Sequence, residues 1–394
     1  MAAVRITNCR VCAGELKELW ELGEFALCGY FPKSGEDVPI EPMGLSWCKF
    51  CDLTQMHYSY SQTMYTENYG YRSGINPAMA SHLHGLARYG QIESDLWLDD
   101  VVLDIGGNDG TLLQYFGSDT PRLLIDPIAG KWNGDGIKRL AETFDVPAFY
   151  KLSPLRKAQL IFSVAMFYDL ENPVQFARDI SRCLASDGVW ILEQSYLPAM
   201  VTNNAFDTIC HEHLEYYTLP ALESIMRRSG LCIQGVDFND SNGGSVRLAV
   251  RGKPRTKPPH IPDWGWHAPS MFGGMVGELA LIKKELYREL SGNVVGWGAS
   301  TKGNTLLQHF GITKEQIPYI VDANPEKWGR VTPGTNIPIV AAPSGPVDAY
   351  LVLPWHFRRF VIEKEREFLR TGGKLIFPLP EVEVVTWDML SGRG

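Results

Sequence analysis

Residues 101–113, VVLDIGGNDGTLL, decide the fold of this chain. The apolar residues that open the stretch predict a buried strand, which runs into an acidic residue, Asp104. A glycine-rich turn follows, and the Thr-Leu-Leu at its end predicts the N-terminus of a helix. Glycine has no Cβ, so a ligand can approach the backbone of such a turn closely. The spacing differs from the G-x-G-x-x-G motif that binds a dinucleotide pyrophosphate.

A second apolar strand is predicted at 122–125 and ends at Asp126. An acidic residue in this place typically accepts hydrogen bonds from ribose hydroxyls. The two units together resemble the first two βα units of a class I S-adenosylmethionine (SAM) methyltransferase; an ordinary glycine turn in another α/β domain is the alternative. The resemblance assigns to the cofactor Asp104, Gly106, Asn108, Asp109, Gly110 and Asp126.

Strand and helix patterns alternate from Asp104 to about Arg251, which predicts a parallel, doubly wound sheet. Ligands of such sheets lie at the carboxyl ends of the strands. The corner Met166-Phe167 falls at one of these ends, and an apolar corner can sandwich an adenine ring. We therefore add both residues to the candidate cofactor site, with a loop position of no special role as the alternative.

The composition sets the broad class of the protein. Hydrophobic residues make up 45% of the chain and charged residues 21%, as in an ordinary globular protein, and 394 residues suffice for two or three domains. The formal net charge of −8 argues against nucleic-acid binding. No segment is apolar for long enough to span a bilayer, and the first residues lack a signal-peptide pattern. We expect a cytoplasmic protein with no membrane partner, either a monomer or a weak oligomer.

Four of the eight cysteines form two C-x-x-C pairs, Cys9 with Cys12 and Cys48 with Cys51. Two such pairs can supply four thiolates in a tetrahedron, which is a closed structural zinc site without a position for water. The metal would stabilise a small lobe that has little core of its own. The alternatives are two unrelated pairs or a redox site, although a redox centre needs only one pair.

The densest group of chemically versatile side chains is the stretch 206–217, FDTICHEHLEYY. A histidine beside a carboxylate can be held in one tautomer and tuned as a general base, as in the pair Glu212-His213. A protease-like zinc site is disfavoured, because the two histidines lack the four-residue helical spacing of such sites. A surface cluster without chemistry is the remaining alternative.

A glycine turn and an arginine follow at 239–250, NDSNGGSVRLAV, which can admit a polar ligand or form a simple hairpin. Residues 253–276 are rich in proline and tryptophan and predict a linker. A helix is predicted at 277–290, and from Asn293 a second strand, glycine turn and helix resemble half of a Rossmann domain. A helix N-terminus and Lys302 can bind an anion there.

The order of these motifs is similar, over nearly the whole chain, to that of the SAM-dependent sugar C-methyltransferases that act on nucleotide-linked 4-keto-6-deoxyhexoses. The shared motifs are the two Cys-x-x-Cys pairs, Tyr-x-Tyr-x-Ser at 69–73, D-x-G-x-N-D-G at 104–110, Glu-His at 212–213, N-G-G-x-x-R at 242–247 and G-x-G-A-S-x-K-x-N at 296–304. The chain departs from some relatives at Cys210, where they carry a tyrosine.

The resemblance implies an α/β protein of three units. These are an N-terminal zinc lobe (1–62), a central SAM-binding class I domain (63–252) and, after the linker (253–276), a C-terminal Rossmann-like domain that binds the nucleotide-sugar (277–394). It implies a base in Glu212-His213 and a tyrosine, Tyr71, near the sugar. The substrate-binding candidates are Tyr69, Asn242, Gly243, Gly244, Arg247, Ser300, Lys302, Asn304, Arg330 and His356. Each of the charged ones could instead be a solvated surface residue.

A chemical hypothesis follows from these residues. A carbon next to a ketone is acidic because the anion delocalises onto oxygen. We expect His213 to remove the proton from C3 of the 4-keto sugar and Glu212 to orient His213. We expect Tyr71 to donate to the C4 oxygen or to share the proton transfer. The enolate carbon then takes the methyl group of SAM. The alternatives are an O- or N-methyltransferase on a sugar or small metabolite, a nicotinamide-dependent oxidoreductase, and a zinc-lobed scaffold that merely binds nucleotide-sugars.

Overall fold

The computed structural model describes residues 3–60, 72–132, 136–255 and 268–392. Within these residues the strands form a seven-stranded sheet, a six-stranded sheet, a four-stranded sheet and a two-stranded ribbon. The strands are β1 (Val4–Arg5), β2 (Lys17–Ala26), β3 (Ile40–Trp47), β4 (Thr54–Met56), β5 (Tyr58–Ser59), β6 (Val101–Ile105), β7 (Arg122–Ile125), β8 (Lys138–Leu140), β9 (Ala158–Val164), β10 (Leu184–Ser195), β11 (Glu215–Tyr216), β12 (Cys232–Asn239), β13 (Ser245–Arg251), β14 (Val294–Trp297), β15 (Ile320–Val321), β16 (Ile339–Val340), β17 (Ala349–Val352), β18 (Lys374–Phe377) and β19 (Glu383–Val385). The α-helices are α1 (Pro77–Ser94), α2 (Val146–Leu152), α3 (Pro173–Cys183), α4 (Leu197–Thr202), α5 (Leu219–Arg228), α6 (Ala268–Glu289), α7 (Thr301–Phe310), α8 (Arg358–Lys364), α9 (Arg366–Arg370) and α10 (Trp387–Ser391).

The seven-stranded sheet is the doubly wound sheet that the sequence predicts. Its order is β8-β7-β6-β9-β10-β13-β12, and β13 runs antiparallel to both of its neighbours. In chain order this is 3-2-1-4-5-7-6, the class I methyltransferase arrangement. The order reverses between β6 and β9, so the carboxyl ends of these two strands open the crevice where ligands of such sheets bind. Apolar clusters cover both faces of the sheet.

The segment after the glycine turn differs from the prediction. Instead of a helix, the structure has a short 3₁₀ turn, Leu112–Tyr115. The turn signals Gly117, Ser118 and Pro121 come so soon that a full helix has no room before β7 begins. The two leucines are nevertheless buried as expected, because the 3₁₀ turn points them into the core.

The six-stranded sheet confirms the predicted C-terminal Rossmann-like domain. Its order is β16-β15-β14-β17-β18-β19, with β19 antiparallel at the edge. Helix α6, which leads into this sheet, begins at Ala268 and not at Gly277 as predicted. Pro269 is tolerated in a first helical turn, and Phe272 and Met275 continue the buried face toward the N-terminus. The last nine residues assigned to the linker are therefore helical.

The N-terminal lobe, residues 3–60, is built on the four-stranded sheet, in the order β11-β4-β3-β2. One of these strands, β11, comes from the chain segment between β10 and β12 of the seven-stranded sheet. The lobe also shares a hydrophobic core with the C-terminal domain, in which Phe25, Phe31 and Met43 join residues such as Phe310. The lobe is therefore packed against both other units, and its stability depends on them as well as on its cysteines.

Candidate active site

The glycine loop after β6 has the backbone that its sequence requires. Gly106, Asn108 and Gly110 have φ angles of +68°, +54° and +80°, a left-handed region that favours glycine and asparagine. A Cβ on Gly106 would stand 2.8 Å from the Cγ of Met166. The loop and the predicted adenine corner are thus in contact, at the crevice between β6 and β9.

Two carboxylates hold the loop from inside the protein. The Asn108 N–H donates to Asp126 Oδ2 over 2.9 Å, and the Ile128 N–H donates to Asp126 Oδ1 over 2.8 Å. Asp104 is buried beneath the loop, and burial raises its pKa well above the usual range, with the charges of Asp126 and Asp109 adding to the shift. Asp104 therefore supports the loop, whereas the predicted role for Asp126 is compatible with its remaining acceptor positions.

Asp109 fastens the loop to the segment that precedes α1. Its Oδ2 accepts from the Gly74 N–H over 3.0 Å and from the Arg72 guanidinium over 3.3 Å. Its Oδ1 accepts from the Thr111 hydroxyl over 2.6 Å. Asp109 is thus a structural part of the cofactor crevice, and its carboxylate is occupied by protein donors.

Phe167 requires a correction. Its side chain is fully buried in the core, with ring centroids 5.6 Å from Trp190 and 5.4 Å from Tyr217. The prediction placed it beside the adenine because it adjoins Met166 in the sequence. The chain turns after β9 and enters the 3₁₀ helix Phe167–Asp169, and this turn directs Met166 to the loop and Phe167 into the core.

The loop 203–214, called the His213 loop here, brings His213 to the same end of the sheet. The His213 Nδ1 lies 2.6 Å from the Thr208 carbonyl oxygen, and its ring lies 4.1 Å from that of Tyr168, which follows β9. A cavity of about 10 Å³, room for one water molecule, adjoins His213 and is also lined by Ser195 at the end of β10. Burial, with the nearby Lys302 charge, lowers the pKa of His213 to about 3.

Glu212 lies elsewhere than the hypothesis placed it. Its carboxylate is buried against the backbone of Gly29 in the N-terminal lobe, where a Cβ on Gly29 would stand 1.8 Å from Glu212 Oε1. The hydrogen bond that orients His213 comes from the Thr208 carbonyl. Residues 210–213 form a turn closed by the hydrogen bond from the His213 N–H to the Cys210 carbonyl, and the side chains of Glu212 and His213 leave it in different directions, so adjacency in sequence does not make Glu212 the partner of His213.

Four of the substrate-binding candidates converge on one side of the His213 loop. The Lys302 Nζ donates to the Asn242 carbonyl over 2.7 Å, and Gly243 packs on Trp355, next to His356. Burial lowers the pKa of Lys302, opposed by the charge of Asp207. Burial and the Lys302 charge together lower the pKa of His356 well below its usual range. This group joins the glycine turn before β13 to the C-terminal domain.

Ser300 and Gly244 support this group. The Ser300 Oγ accepts from the Gly303 N–H over 3.0 Å and caps helix α7, which carries Lys302. Asp322 then repeats at the second glycine loop what Asp126 does at the first, because it accepts from the Ala299 N–H over 2.7 Å. The Gly244 carbonyl accepts from the Tyr196 N–H over 3.0 Å, which fixes the glycine turn on β10.

Three charged or polar candidates are engaged elsewhere. Arg247 donates to Asp237 and lies 4.0 Å from the Tyr89 ring, on the α1 side of the sheet. Arg330 donates to the Phe31 carbonyl of the N-terminal lobe over 2.8 Å. Asn304 is fully buried and donates to the Cys28 carbonyl over 2.7 Å. Residues Tyr69 and Tyr71 lie outside the described part of the chain, and their roles stay predictions.

The structure also adds residues that the sequence analysis missed. Thr208 orients His213, and Asp207 accepts from the Trp355 indole N–H over 2.8 Å, which ties the His213 loop to the C-terminal domain. Both lie in the stretch that we selected for its histidines, but threonine and aspartate carry no distinctive signal there. Their roles depend on the fold of the His213 loop, which places the Thr208 carbonyl next to the His213 ring.

The four clustered cysteines meet as the spacing predicts. The Sγ atoms of Cys9 and Cys51 are 3.4 Å apart, as are those of Cys12 and Cys48, and all four lie within 4.8 Å of one another. Zinc–sulfur bonds of about 2.3 Å in a tetrahedron place the sulfur atoms about 3.8 Å apart. The donor set and its geometry therefore fit a four-coordinate metal ion.

Comparisons with known proteins agree with this architecture. A family model described as a methyltransferase domain matches residues 76–234, and one described as a C-methyltransferase C-terminal domain matches residues 279–380. The C-methyltransferase NovU of Streptomyces niveus is 27% identical over 408 residues, which is 97% of each chain. With the glycine loop and the sheet order described above, these matches define the protein as a SAM-dependent C-methyltransferase, which decides against the nicotinamide-dependent alternative.

Solved structures give weaker likenesses. The calicheamicin-biosynthesis methyltransferase CalO1, in its SAH-bound form, is 16% identical and the match covers 45% of this chain and 54% of CalO1, with a TM-score of 0.35. A SAM-dependent methyltransferase of Clostridium acetobutylicum is 15% identical, with 44% and 91% covered and a TM-score of 0.35. Neither likeness decides anything about the substrate. Among the described helices, none combines the length and the apolar character needed to cross a membrane.

Proposed function

We propose that the protein methylates C3 of a nucleotide-linked 4-keto-6-deoxyhexose through an enolate, with His213 as the base. The observation that carries this proposal is the hydrogen bond of 2.6 Å between His213 Nδ1 and the Thr208 carbonyl. A carbonyl oxygen can only accept, so Nδ1 carries the proton of the neutral ring and Nε2 keeps its lone pair.

The protonation state of His213 supports this role. Its pKa of about 3 keeps the ring neutral in the free enzyme at neutral pH, so no proton has to leave before substrate binds. The low value comes from desolvation and from the positive charge of Lys302. A bound anionic substrate would offset the Lys302 charge, which raises the basicity of Nε2 when the reaction needs it.

Lys302 supports an anionic substrate. The overall charge of −8 would repel a nucleoside diphosphate, so a local cation is required. Lys302 is buried beside the glycine turn at Asn242, on the C-terminal side of the His213 loop. This is the position from which an ammonium group can stabilise either a diphosphate or the negative charge on an enolate oxygen. SAM supplies the methyl group from the crevice at the glycine loop.

The test is mass spectrometry of nucleotide-linked 4-keto-6-deoxyhexoses incubated with the enzyme in deuterium oxide, with and without SAM. We expect one deuterium to enter C3 without SAM and one methyl group to be added with SAM. The matched control is the 4-hydroxy partner of each sugar, which cannot form the enolate and should gain neither. Methylation of the 4-hydroxy sugar would favour the O-methyltransferase alternative. Absence of exchange and transfer on every keto sugar, with SAM bound, would contradict the proposal.

We also propose that the four clustered cysteines bind one structural zinc ion. Four thiolates within 4.8 Å of one another repel strongly unless a cation lies among them. The position is closed, because all four ligands come from the protein, so the metal does not take part in the reaction. Its expected effect is on the folding of the N-terminal lobe.

Replacing Cys51 by serine is expected to remove the metal. Elemental analysis should find about one zinc per chain in the wild type and almost none in C51S, and the apparent Tm should fall by about 5–10 °C. Cys232→Ser is the control, since Cys232 is half-buried on the edge strand β12, far along the chain from the cluster. Full zinc content in C51S, or no zinc in the wild type, would contradict the assignment.

A further inference from the structure

We infer that the N-terminal lobe is a working part of the active site, and that Glu212 is a positioning residue that fastens the His213 loop to the lobe at Gly29. The inference rests on the proposed function in one respect, the role of His213 as the base. It departs from the assumption that the carboxylate next to the base takes part in proton transfer. The juxtaposition of Glu212 with the backbone of Gly29 carries it.

The contact between Glu212 and Gly29 leaves no room for a side chain on the glycine. A Cβ on Gly29 would stand 1.8 Å from Glu212 Oε1 and 2.9 Å from its Cδ. Glu212 is 6% exposed, so its carboxylate cannot swing into solvent to avoid the clash. Burial raises the pKa of Glu212, and its contact with the Gly29 backbone partly opposes the shift.

The residues on either side of His213 also attach to the lobe. His211 lies edge-on to Tyr60, with ring centroids 4.9 Å apart. The Met56 N–H donates to the Leu214 carbonyl over 2.8 Å, and Glu215 in β11 pairs with β4 of the lobe sheet. His213 lines the cavity together with Glu215, and its Nδ1 meets the Thr208 carbonyl. The lobe therefore holds the backbone of the loop, and His213 projects from that support.

Buried charges strengthen the same attachment. Arg10 lies between two of the clustered cysteines, and its guanidinium is 3.7 Å from the fully buried carboxylate of Glu215. Arg10 also donates to the Ser59 hydroxyl over 2.7 Å. Burial raises the pKa of Glu215 well above its usual range, and the Arg10 charge partly opposes this shift, so separation of the lobe from the loop would remove a favourable contact of Glu215.

Helix α7 of the C-terminal domain makes a second set of contacts with the lobe. The Asn304 amide donates to the Cys28 carbonyl, and the Gln308 amide donates to the Ala26 carbonyl over 3.1 Å. The Thr305 hydroxyl donates to the Ile209 carbonyl of the His213 loop over 3.0 Å. The chain at Gly29 therefore cannot retreat, so a side chain placed there displaces Glu212 and, through the backbone, His213.

The test is a double-mutant cycle of Gly29→Ala and Glu212→Ala, with Glu212→Gln as the conservative rescue. We expect Gly29→Ala to lower kcat by about 30- to 100-fold with little change in KM, since a displacement of about 1 Å can cost about 10² in rate. Glu212→Ala should lower kcat by about tenfold. In the double variant the clash is gone, so kcat should equal that of Glu212→Ala within about twofold.

Glutamine has the size of the neutral acid, so Glu212→Gln should retain most of the kcat that Glu212→Ala loses. If the carboxylate transferred protons, Glu212→Gln and Glu212→Ala would lower kcat equally. That outcome would overturn the inference. Multiplicative effects in the cycle would overturn it as well. Gly85→Ala is the matched control, because Gly85 lies on α1 with open space around its Cβ position.

SAM affinity and the apparent Tm are measured for every variant, since both report folding independently of turnover. If Gly29→Ala fails to fold, the comparison of Glu212→Gln with Glu212→Ala decides the question by itself. Failure of the proposed function is recognised separately: His213→Asn would then keep full activity. A different outcome would overturn only the positioning role of Glu212. In that outcome His213→Asn is inactive, but the effects of Gly29→Ala and Glu212→Ala on kcat multiply in the double variant.

Discussion

Replacing His213 by asparagine is expected to lower kcat for methyl transfer by about 10²–10⁴, with SAM affinity unchanged. Asparagine keeps a hydrogen-bonding group near the Thr208 carbonyl but supplies no basic nitrogen. Since the proton on C3 must leave before the carbon can attack, turnover falls with the base. The measurement is steady-state kinetics on the keto sugar that gives methyl transfer, together with deuterium exchange in the absence of SAM.

Two observations check this assignment. SAM binding, measured by calorimetry, should be the same in the variant and in the wild type, which shows that the crevice is intact. The wild-type kcat/KM, which reports the free enzyme, should stay flat from pH 8 to about pH 5, because His213 is neutral above its pKa of about 3. A fall of kcat/KM toward low pH with a midpoint near pH 6.5 would contradict the desolvated surroundings of His213 beside the Lys302 charge. Full turnover in His213→Asn would contradict its role as the base.

Replacing Gly107 by alanine is expected to weaken SAM binding by at least about 100-fold and to lower the apparent Tm. A Cβ there would stand 2.2 Å from Asp104 Oδ2 and 2.7 Å from Leu124 Cδ1. Neither side chain can move away, since both are in the core beneath the loop. The loop must lift instead, which breaks the hydrogen bond from the Asn108 N–H to Asp126 and reshapes the crevice.

The matched control is Gly117→Ala, since Gly117 follows the loop 106–110 closely in sequence and lies in an exposed turn. Nothing lies within 4 Å of a Cβ on Gly117, so this variant should bind SAM like the wild type. Calorimetry of both variants measures the effect. Wild-type SAM affinity in Gly107→Ala would contradict the prediction, because it would show that the loop accommodates a Cβ despite the packing of Asp104 and Leu124.

The local patterns were enough to predict the crevice. An apolar strand, an acidic residue and glycines in the left-handed region leave few backbone solutions, so the sequence determined the loop at 106–110 and its contact with Asp126. The two C-x-x-C pairs likewise determined a four-sulfur cluster, because the spacing within each pair already fixes half of the tetrahedron. The alternation of strands and helices determined both doubly wound sheets.

The orientation of single side chains was decided by tertiary packing. Phe167 and Met166 are adjacent in sequence, yet the turn into the 3₁₀ helix Phe167–Asp169 sends one into the core and the other to the crevice. Glu212 and His213 also diverge, so the residue that orients His213 is Thr208, which no spacing rule identifies. Arg330 and Asn304 were predicted to bind substrate, but each donates to a backbone carbonyl of the N-terminal lobe.

The chain by itself thus determined which elements form and where the glycine loop lies, and it pointed to the His213 loop as the candidate for the chemistry, because these depend on residues close together in sequence. The tertiary structure alone decided which side chains of that loop face the crevice and which attach to the lobe. That choice depends on surfaces contributed by segments far apart in the chain, such as Gly29 against Glu212 and Trp355 against Asp207. Long-range packing of this kind leaves no periodic pattern in the sequence.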